Sequence, residues 1–453
     1  MTLSPLSRPL YVMAKPAGSR CNLACEYCYY LEKEHLYASE PAATRGLMTD
    51  ETLERFIRQY LESQTQPEVL FTWHGGEPLL RPLSFYRKAL KLQRQYARGR
   101  HIDNALQTNG TLLTDEWCRF FREHNWLIGI SIDGPEHLHD AYRRARGGQP
   151  SFRRVMRGIE LLQKHGVEWN VMGVVNNLNA DHALEVYDFY KSIGARYIQF
   201  TPIVERMQQH PDGRHLAAPI PIGQLDNLPL DNLPLDNLPL DNLASKTLPS
   251  HPLPSFPFPS DVCPPPAFQL STSSVSPAAF ARFACEMFDK WVRRDVGTVY
   301  VQLFDATLAR WMGVAPGVCS MAETCGHAAA MEANGDVYSC DHFVFPDYLL
   351  GNIHDQTLTA MMYSPRQQTF GRAKRDALPR QCRQCPWLFA CNGGCPKDRF
   401  VISADGEPGL NYLCEGYRIF FSHVAPAMDF MRGELMHQRP PANVMQWIWQ
   451  GNR

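Results

Sequence analysis

Between residue 9 and about residue 205 the chain alternates two hydrophobic patterns. Short β-rich runs that end in turn residues predict strands at "LYVMAKP", "VLFTWHGG", "NALQTNG", "WLIGISIDG", "VEWNVMGVV" and "RYIQFTPI". Between them, apolar residues recur at three- and four-residue intervals in "TDETLERFIRQYLESQ", "SFYRKALKLQRQYA", "TDEWCRFFREH", "SFRRVMRGIELLQKHG" and "DHALEVYDFYKSIG", which predicts amphipathic helices. Six parallel strands with right-handed crossovers make an open sheet or a curved, incomplete version of the eight-fold barrel. Either places functional loops at the strand carboxyl ends. Chemistry-bearing residues collect there: a cysteine triad after the first strand, "HGGEP" after the second, "QTNG" after the third and "SIDGP" after the fourth.

The alternation then stops. Residues 225–244 read LDNLP, LDNLP, LDNLP, LDNLA, a five-residue period that suits neither helix nor strand, and "HPLPSFPFPSDVCPPP" follows. The pattern therefore predicts an α/β barrel domain over 1–207 and a Pro-rich, low-complexity insertion or linker over 208–276. After these come a helical connector over 277–318, a small cysteine-rich domain over 319–420 and a helical tail over 421–453. The cysteine-rich part is too polar and broken to be built around a large apolar core, so something else must hold it together.

Composition narrows the function. Lysine plus arginine number 45 against 46 aspartate plus glutamate, so no overall field exists to hold nucleic acid or an anionic membrane. The N-terminal stretch lacks the apolar core of a signal peptide and no run of about 18 apolar residues occurs, which predicts a soluble, cytoplasmic protein. Fourteen cysteines in a reducing compartment point to metal or redox chemistry. Plain burial suits only Cys118 and Cys285, in helical patterns, and Cys263, in a loop.

In "GSRCNLACEYCYYLEKE", Cys21, Cys25 and Cys28 are spaced C-x3-C-x2-C, which fits neither a disulfide pair nor the usual paired zinc ligands. Three thiolates on a short loop can hold three irons of a [4Fe–4S] cube and leave the fourth open to a small molecule; a zinc site with a distant fourth ligand is the alternative. The triad and the barrel layout resemble the radical S-adenosylmethionine (SAM) enzymes. That resemblance implies that the open iron chelates SAM, and that an electron from the cluster yields a 5′-deoxyadenosyl radical. "HGGEP" resembles the family's GGE motif, in which Gly75 and Gly76 would let backbone approach the methionyl amino group and Glu77 would accept from it. Ser131 and Arg143 match positions that contact the ribose and carboxylate of SAM, although Arg143 also fits a solvated basic run. Tyr30 matches an aromatic at the adenine, and equally suits a tyrosine packed at the barrel rim.

The C-terminal cysteines Cys319, Cys325, Cys340, Cys382, Cys385, Cys391, Cys395 and Cys414 are enough for two sets of four, suitable for clusters or for two zincs. Their pattern resembles the SPASM domain. This implies one [4Fe–4S] cluster on Cys319, Cys325, Cys340 and Cys395 and another on Cys382, Cys385, Cys391 and Cys414, for three [4Fe–4S] clusters with SAM in all.

The motifs together, with the "CDHFV" after the third SPASM cysteine, look most like the anaerobic sulfatase-maturating enzymes, which oxidise a cysteine or serine of a sulfatase to Cα-formylglycine. The resemblance implies that Asp341 is the base, with its proton affinity raised by anionic clusters; capping a turn is its other reading. It places His74 near the substrate, where a packed histidine is equally expected. The implied partners are an unfolded sulfatase segment and an electron donor such as flavodoxin or ferredoxin. A maturase of ribosomally made peptides is the nearest alternative, and a zinc-stabilised, non-catalytic peptide adaptor a more distant one.

Overall fold

A computed structural model of the protein describes residues 10–37, 45–210, 213–216, 219 and 269–451. The LDNLP repeats and Cys263 lie outside the described residues. Six strands, β1 (Tyr11–Ala14), β2 (Glu68–Trp73), β3 (His101–Thr108), β4 (Leu127–Ser131), β5 (Glu168–Val175) and β6 (Tyr197–Pro202), lie side by side in sequence order, all parallel. The order never reverses, so there is no topological switch point: this is the partial barrel rather than the doubly wound sheet.

Helices α1 (Asp50–Ser63), α2 (Leu83–Tyr96), α3 (Asp115–Glu123), α5 (Phe152–His165) and α6 (Ala183–Ser192) fall on the periodic segments. Local chemistry sets their ends. Thr49 and Thr114 accept hydrogen bonds from the Thr52 and Trp117 amides, with acidic residues in each first turn. The additional helix α4 (Glu136–Tyr142) is too short for the 3.6-residue period to reveal. Strand side chains alternate between faces: Val12, Phe71, Leu106, Ile128, Ile130, Val171 and Ile198 are buried in the apolar core, whereas Gln107, Ser131 and Asn170 are half-buried on the opposite, interior face.

A small antiparallel sheet of β7 (Arg206–His210), β8 (Gly213–Leu216) and β9 (Gln269–Leu270) follows. Helix α7 (Pro277–Arg294) starts from the Ser276 cap, and β10 (Tyr300–Val301) adds to the free edge of β6 before α8 (Gln302–Trp311). The cysteine-rich segment then returns to the barrel: β11 (Ala328–Met331) pairs parallel with β1 and continues antiparallel into β12 (Asp336–Tyr338) and β13 (Leu349–Asn352), which makes a ten-stranded sheet. Short helices α9 (Leu358–Met362), α10 (Pro365–Asp376), α11 (Arg380–Arg383) and α12 (Leu388–Cys391) lead to the hairpin β14 (Arg399–Ile402) and β15 (Pro408–Asn411). Helix α13 (Cys414–Met436) runs unbroken across residue 420 and packs on α7, ahead of α14 (Val444–Gln450). Cys118 and Cys285 are buried in the apolar core. Among the described residues no helix is long and apolar enough to cross a membrane.

Candidate metal and cofactor site

The loop after β1 gathers Cys21, Cys25 and Cys28 around Leu23, Tyr27 and Ile203. It is held from outside: the Ala24 and Glu26 amides donate to the carbonyls of Arg144 (2.8 Å) and Tyr142 (3.1 Å), and Arg146 Nε donates to the Cys21 carbonyl (2.8 Å). Arg143 is not part of a solvated run. Its guanidinium is buried and donates to Asp133 (2.9 Å), while Arg144 and Arg146 carry the exposed charge. Asp133 also accepts from the Tyr27 hydroxyl and the Val174 amide (3.1 Å), so one buried carboxylate fixes the loop after β4 to the triad loop. Ser131 is half-buried on the interior face and accepts from Gln107 Nε2 (2.9 Å).

The loop after β2 lies directly on the triad loop. The His74, Gly76 and Glu77 amides donate to the carbonyls of Ala14 (2.9 Å), Gly18 (2.8 Å) and Arg20 (2.7 Å). Gly75 has φ +127°, and a Cβ on Gly76 would sit 2.1 Å from the Arg20 carbonyl oxygen. The glycines therefore allow a close approach of the chain to itself. Glu77 likewise turns inward: fully buried, it accepts from Leu79 N (2.9 Å), Thr108 Oγ1 (2.7 Å) and Asn109 N (2.8 Å). Burial pushes its carboxyl up to about 7 against the pull of those bonds. Gly76→Ala is expected to displace the triad loop, cost about 1–3 kcal/mol as an overpacking change and lower bound iron. Anaerobic denaturation and iron analysis check this.

Asp341 follows Cys340 and meets the end of β1. Lys15, fully buried at that end, donates to Asp341 Oδ1 and lies 3.2 Å from His74 Nδ1; Tyr29 donates to Asp341 Oδ2 (2.5 Å). Gly75 N also donates to His74 Nδ1 (2.7 Å), so that nitrogen is an acceptor and the ring proton is assigned to Nε2. Burial, reinforced by Lys15, pushes His74 down to about 3 and keeps it neutral. Against the rise in proton affinity that anionic clusters would give Asp341, the protein itself sets cations. Burial alone would raise it, but Lys15, His74 and His342, together with the Lys15 hydrogen bond, hold the carboxyl well below the usual carboxylate range. Tyr30 is buried with its hydroxyl on Glu332, which also accepts from Tyr37, and Lys15 sits 4.3 Å from the centre of its ring. That is the packed-rim arrangement. Tyr29 borders both cysteine regions, with Cys28 and Cys340 each adding to its electrostatic surroundings.

The other eight cysteines fall into two neighbourhoods. Cys319, Cys325, Cys340 and Cys395 interact among themselves, as do Cys382, Cys385, Cys391 and Cys414. Two buried cations accompany them. Lys374 Nζ donates to the carbonyls of Cys319 (2.6 Å) and Ser320 (2.9 Å), and Arg399, 2% exposed, donates to those of Gly393 (2.9 Å), Asn392 (2.7 Å) and Lys374 (2.5 Å). Neither cation has a carboxylate partner among the described residues. Buried positive charge without a carboxylate calls for another anion, and thiolate-bound clusters fit that requirement. Among the described residues none of the cysteine sets brings three ligand atoms within 4.8 Å of one another. Arg399→Met is expected to cost about 3–5 kcal/mol, as loss of one partner of a buried charge pair, and to deplete auxiliary iron. Metal analysis and anaerobic unfolding measure both.

The comparisons agree with this arrangement. Residues 16–190 match the model of the radical SAM superfamily, and residues 322–386 that of SPASM, an iron–sulfur cluster-binding domain. A serine-type anaerobic sulfatase-maturating enzyme of Bacteroides thetaiotaomicron is 55% identical over 100% of this chain and 98% of its own length. The chain belongs to the anaerobic sulfatase-maturating enzymes. A cysteine-type relative from Clostridium perfringens is 27% identical over 93% of this chain and 97% of its own. The solved structure of native anSMEcpe with bound AdoMet and Cp18Cys peptide superposes with a TM-score of 0.72 at 27% identity, covering 94% of this chain and 99% of that one. As a family member the chain is a radical SAM oxidoreductase that forms formylglycine in sulfatases, binding iron–sulfur clusters and SAM.

Sequence reasoning missed Lys15, Tyr29 and Asp133. Faint signals existed: a lysine closing an otherwise apolar strand in "VMAKP", a second tyrosine beside Tyr30, and an aspartate in the turn after β4.

Proposed function

We propose that this enzyme converts a serine of an unfolded sulfatase segment, with Asp341 as the base. The observation that carries the role of Asp341 is its position: a carboxylate held by Lys15 from the barrel and Tyr29 beside Cys28, one residue from Cys340 of the second cysteine region. The choice of serine is supported by the 55% identity to a serine-type relative, against 27% to a cysteine-type one.

Cys21, Cys25 and Cys28 would hold the cluster that leaves an iron open for SAM. Cys319, Cys325, Cys340 and Cys395, and Cys382, Cys385, Cys391 and Cys414, would hold two closed clusters, giving three. When bound, these groups supply a hydrogen-abstracting 5′-deoxyadenosyl radical at the target Cβ and a sink for the electron left after the aldehyde forms. Everything else falls to the chain. Removing the Cβ hydrogen makes the serine hydroxyl more acidic, and Asp341 would take its proton as the remaining electron leaves for the sink. Lys15 and Tyr29 fix the oxygens that receive it. His74, neutral, can donate from Nε2 to the substrate. Ser131 and Arg143 would border SAM, Arg143 through Asp133 and the triad loop; Gly75, Gly76 and Glu77 would support the same pocket by fixing the loop beneath it. Tyr30 would act in packing.

The peptide would approach by the cleft lined by Tyr29, Lys33, Glu205, His342, Phe345 and Lys397, of which Tyr29 donates to Asp341 and His342 follows it in the chain. A cytoplasmic one-electron donor of the flavodoxin or ferredoxin kind completes the cycle. Anaerobic incubation of reconstituted enzyme with SAM, reductant and paired Ser and Cys sulfatase peptides tests the reading by mass spectrometry. Loss of two hydrogens from the Ser peptide is expected. Conversion of the Cys peptide alone would overturn the serine assignment.

A further inference from the structure

Away from the cysteine loops, two barrel units bring three metal-ligand side chains together. His137 lies in the first turn of α4, His182 caps α6 and Glu185 lies in the first turn of α6. Their ligand atoms are all within 4.8 Å of one another, the only such group of three or more His, Cys, Asp or Glu among the described residues. His182 Nδ1 is 3.0 Å from Glu185 Oε2, and His137 Nε2 is 3.7 Å from Glu185 Oε1. The two imidazoles meet edge to face with centroids 5.8 Å apart.

We propose that His137, His182 and Glu185 form a surface site for a divalent transition-metal ion of the zinc type. Tetrahedral coordination at about 2.0–2.1 Å separates ligand atoms by about 3.3 Å. The observed 3.0 and 3.7 Å run to the two oxygens of the Glu185 carboxylate and lie on either side of that spacing, with all three ligand atoms within 4.8 Å of one another, so small side-chain rotations close the site around an ion. Two imidazoles and one carboxylate are a donor set for zinc and its neighbours, with the fourth position left to water, whereas calcium and magnesium take oxygen donors. The site is open to solvent, with the side chains of His137 and Glu185 58% and 46% exposed. Among the described residues neither imidazole has a protein hydrogen-bond partner for its second nitrogen. Outer partners of that kind are worth about 10–100-fold in affinity, so this ion exchanges readily.

An ion here would brace the pocket from behind. Helix α4 runs on to Arg143, whose guanidinium holds Asp133, and α6 follows Asn179, whose amide donates to the carbonyls of Asp133 (3.2 Å) and Val174 (2.7 Å). Joining His137 to His182 and Glu185 ties together the two segments that position Asp133.

The test uses holoenzyme with its iron–sulfur clusters fully reconstituted, so that no cysteine set is open to added metal. Zinc ion is titrated against a chromophoric chelator, retained zinc is counted after gel filtration, and thermal unfolding is followed with and without it. Wild type should retain about one zinc per chain and unfold at higher temperature with zinc, while calcium has no effect. His137→Ala and Glu185→Gln should each weaken zinc binding at least about tenfold and abolish the thermal shift, with iron content and SAM cleavage unchanged. Equal zinc affinity in wild type and variants, an equal response to calcium, or no zinc retained by wild type would each overturn the proposal. If one variant loads iron poorly, His182→Asn provides the same comparison.

Discussion

A variant with Cys21, Cys25 and Cys28 replaced by alanine is expected to lose all SAM cleavage and about a third of its iron, one cube of three. The remaining two thirds stay because the second and third cysteine sets lie on separate loops, with Lys374 and Arg399 among their supports and no thiol of the triad needed for either. The barrel should survive as well. The triad loop is fixed by backbone hydrogen bonds to Arg144 and Tyr142 and by the contact between Tyr27 and Asp133, none of which needs a thiol. Iron and sulfide analysis with 5′-deoxyadenosine quantitation reads both effects. Full SAM cleavage by this variant would sink the assignment of the triad, whereas loss of most of the iron would mean that the three sets load as one unit.

The parts of this protein legible in its sequence are those encoded over a short span. All six barrel strands fall on runs whose character is set within eight residues, and Thr49 and Thr114 announce their helices one residue before they start. The cysteine sets are legible because most of their ligands share a loop. What the sequence hides is contact between distant segments. No local pattern says that Ala328–Met331 pairs with Tyr11–Ala14, so the cysteine-rich region does not read as an extension of the barrel sheet. Lys15 and Asp341 are 326 residues apart and Tyr29 and Asp341 312 apart; each looks ordinary alone. The surroundings of Asp341 are hidden for the same reason. Anionic clusters alone would raise its proton affinity, and the cation that opposes them comes from the far end of the chain. At Glu77 the motif is where it was expected, but the hydrogen bonds from Leu79, Thr108 and Asn109 that hold its carboxylate are a matter of side-chain direction that spacing does not carry.

Asp341→Asn is expected to lower formylglycine formation by roughly 10²-fold or more, since a positioned base contributes about that much. The substitution suits the site. The amide oxygen can still accept from Lys15, and the amide nitrogen can donate to the Tyr29 hydroxyl in place of the present bond. Neighbouring packing, the Cys340 backbone and cluster content should therefore match wild type. What the amide cannot do is take the proton. SAM cleavage should then continue as an uncoupled reaction, with 5′-deoxyadenosine accumulating beyond oxidised peptide. The wild-type pH profile adds a second check: because Lys15 holds the Asp341 carboxyl well below its ordinary range, conversion should show no acid limb near the usual aspartate value of about 4. Loss of auxiliary iron in Asp341→Asn would make the residue a support for Cys340. Oxidation of peptide at the normal rate would mean that His74, Tyr29 or water takes the proton, and the base assignment would fall.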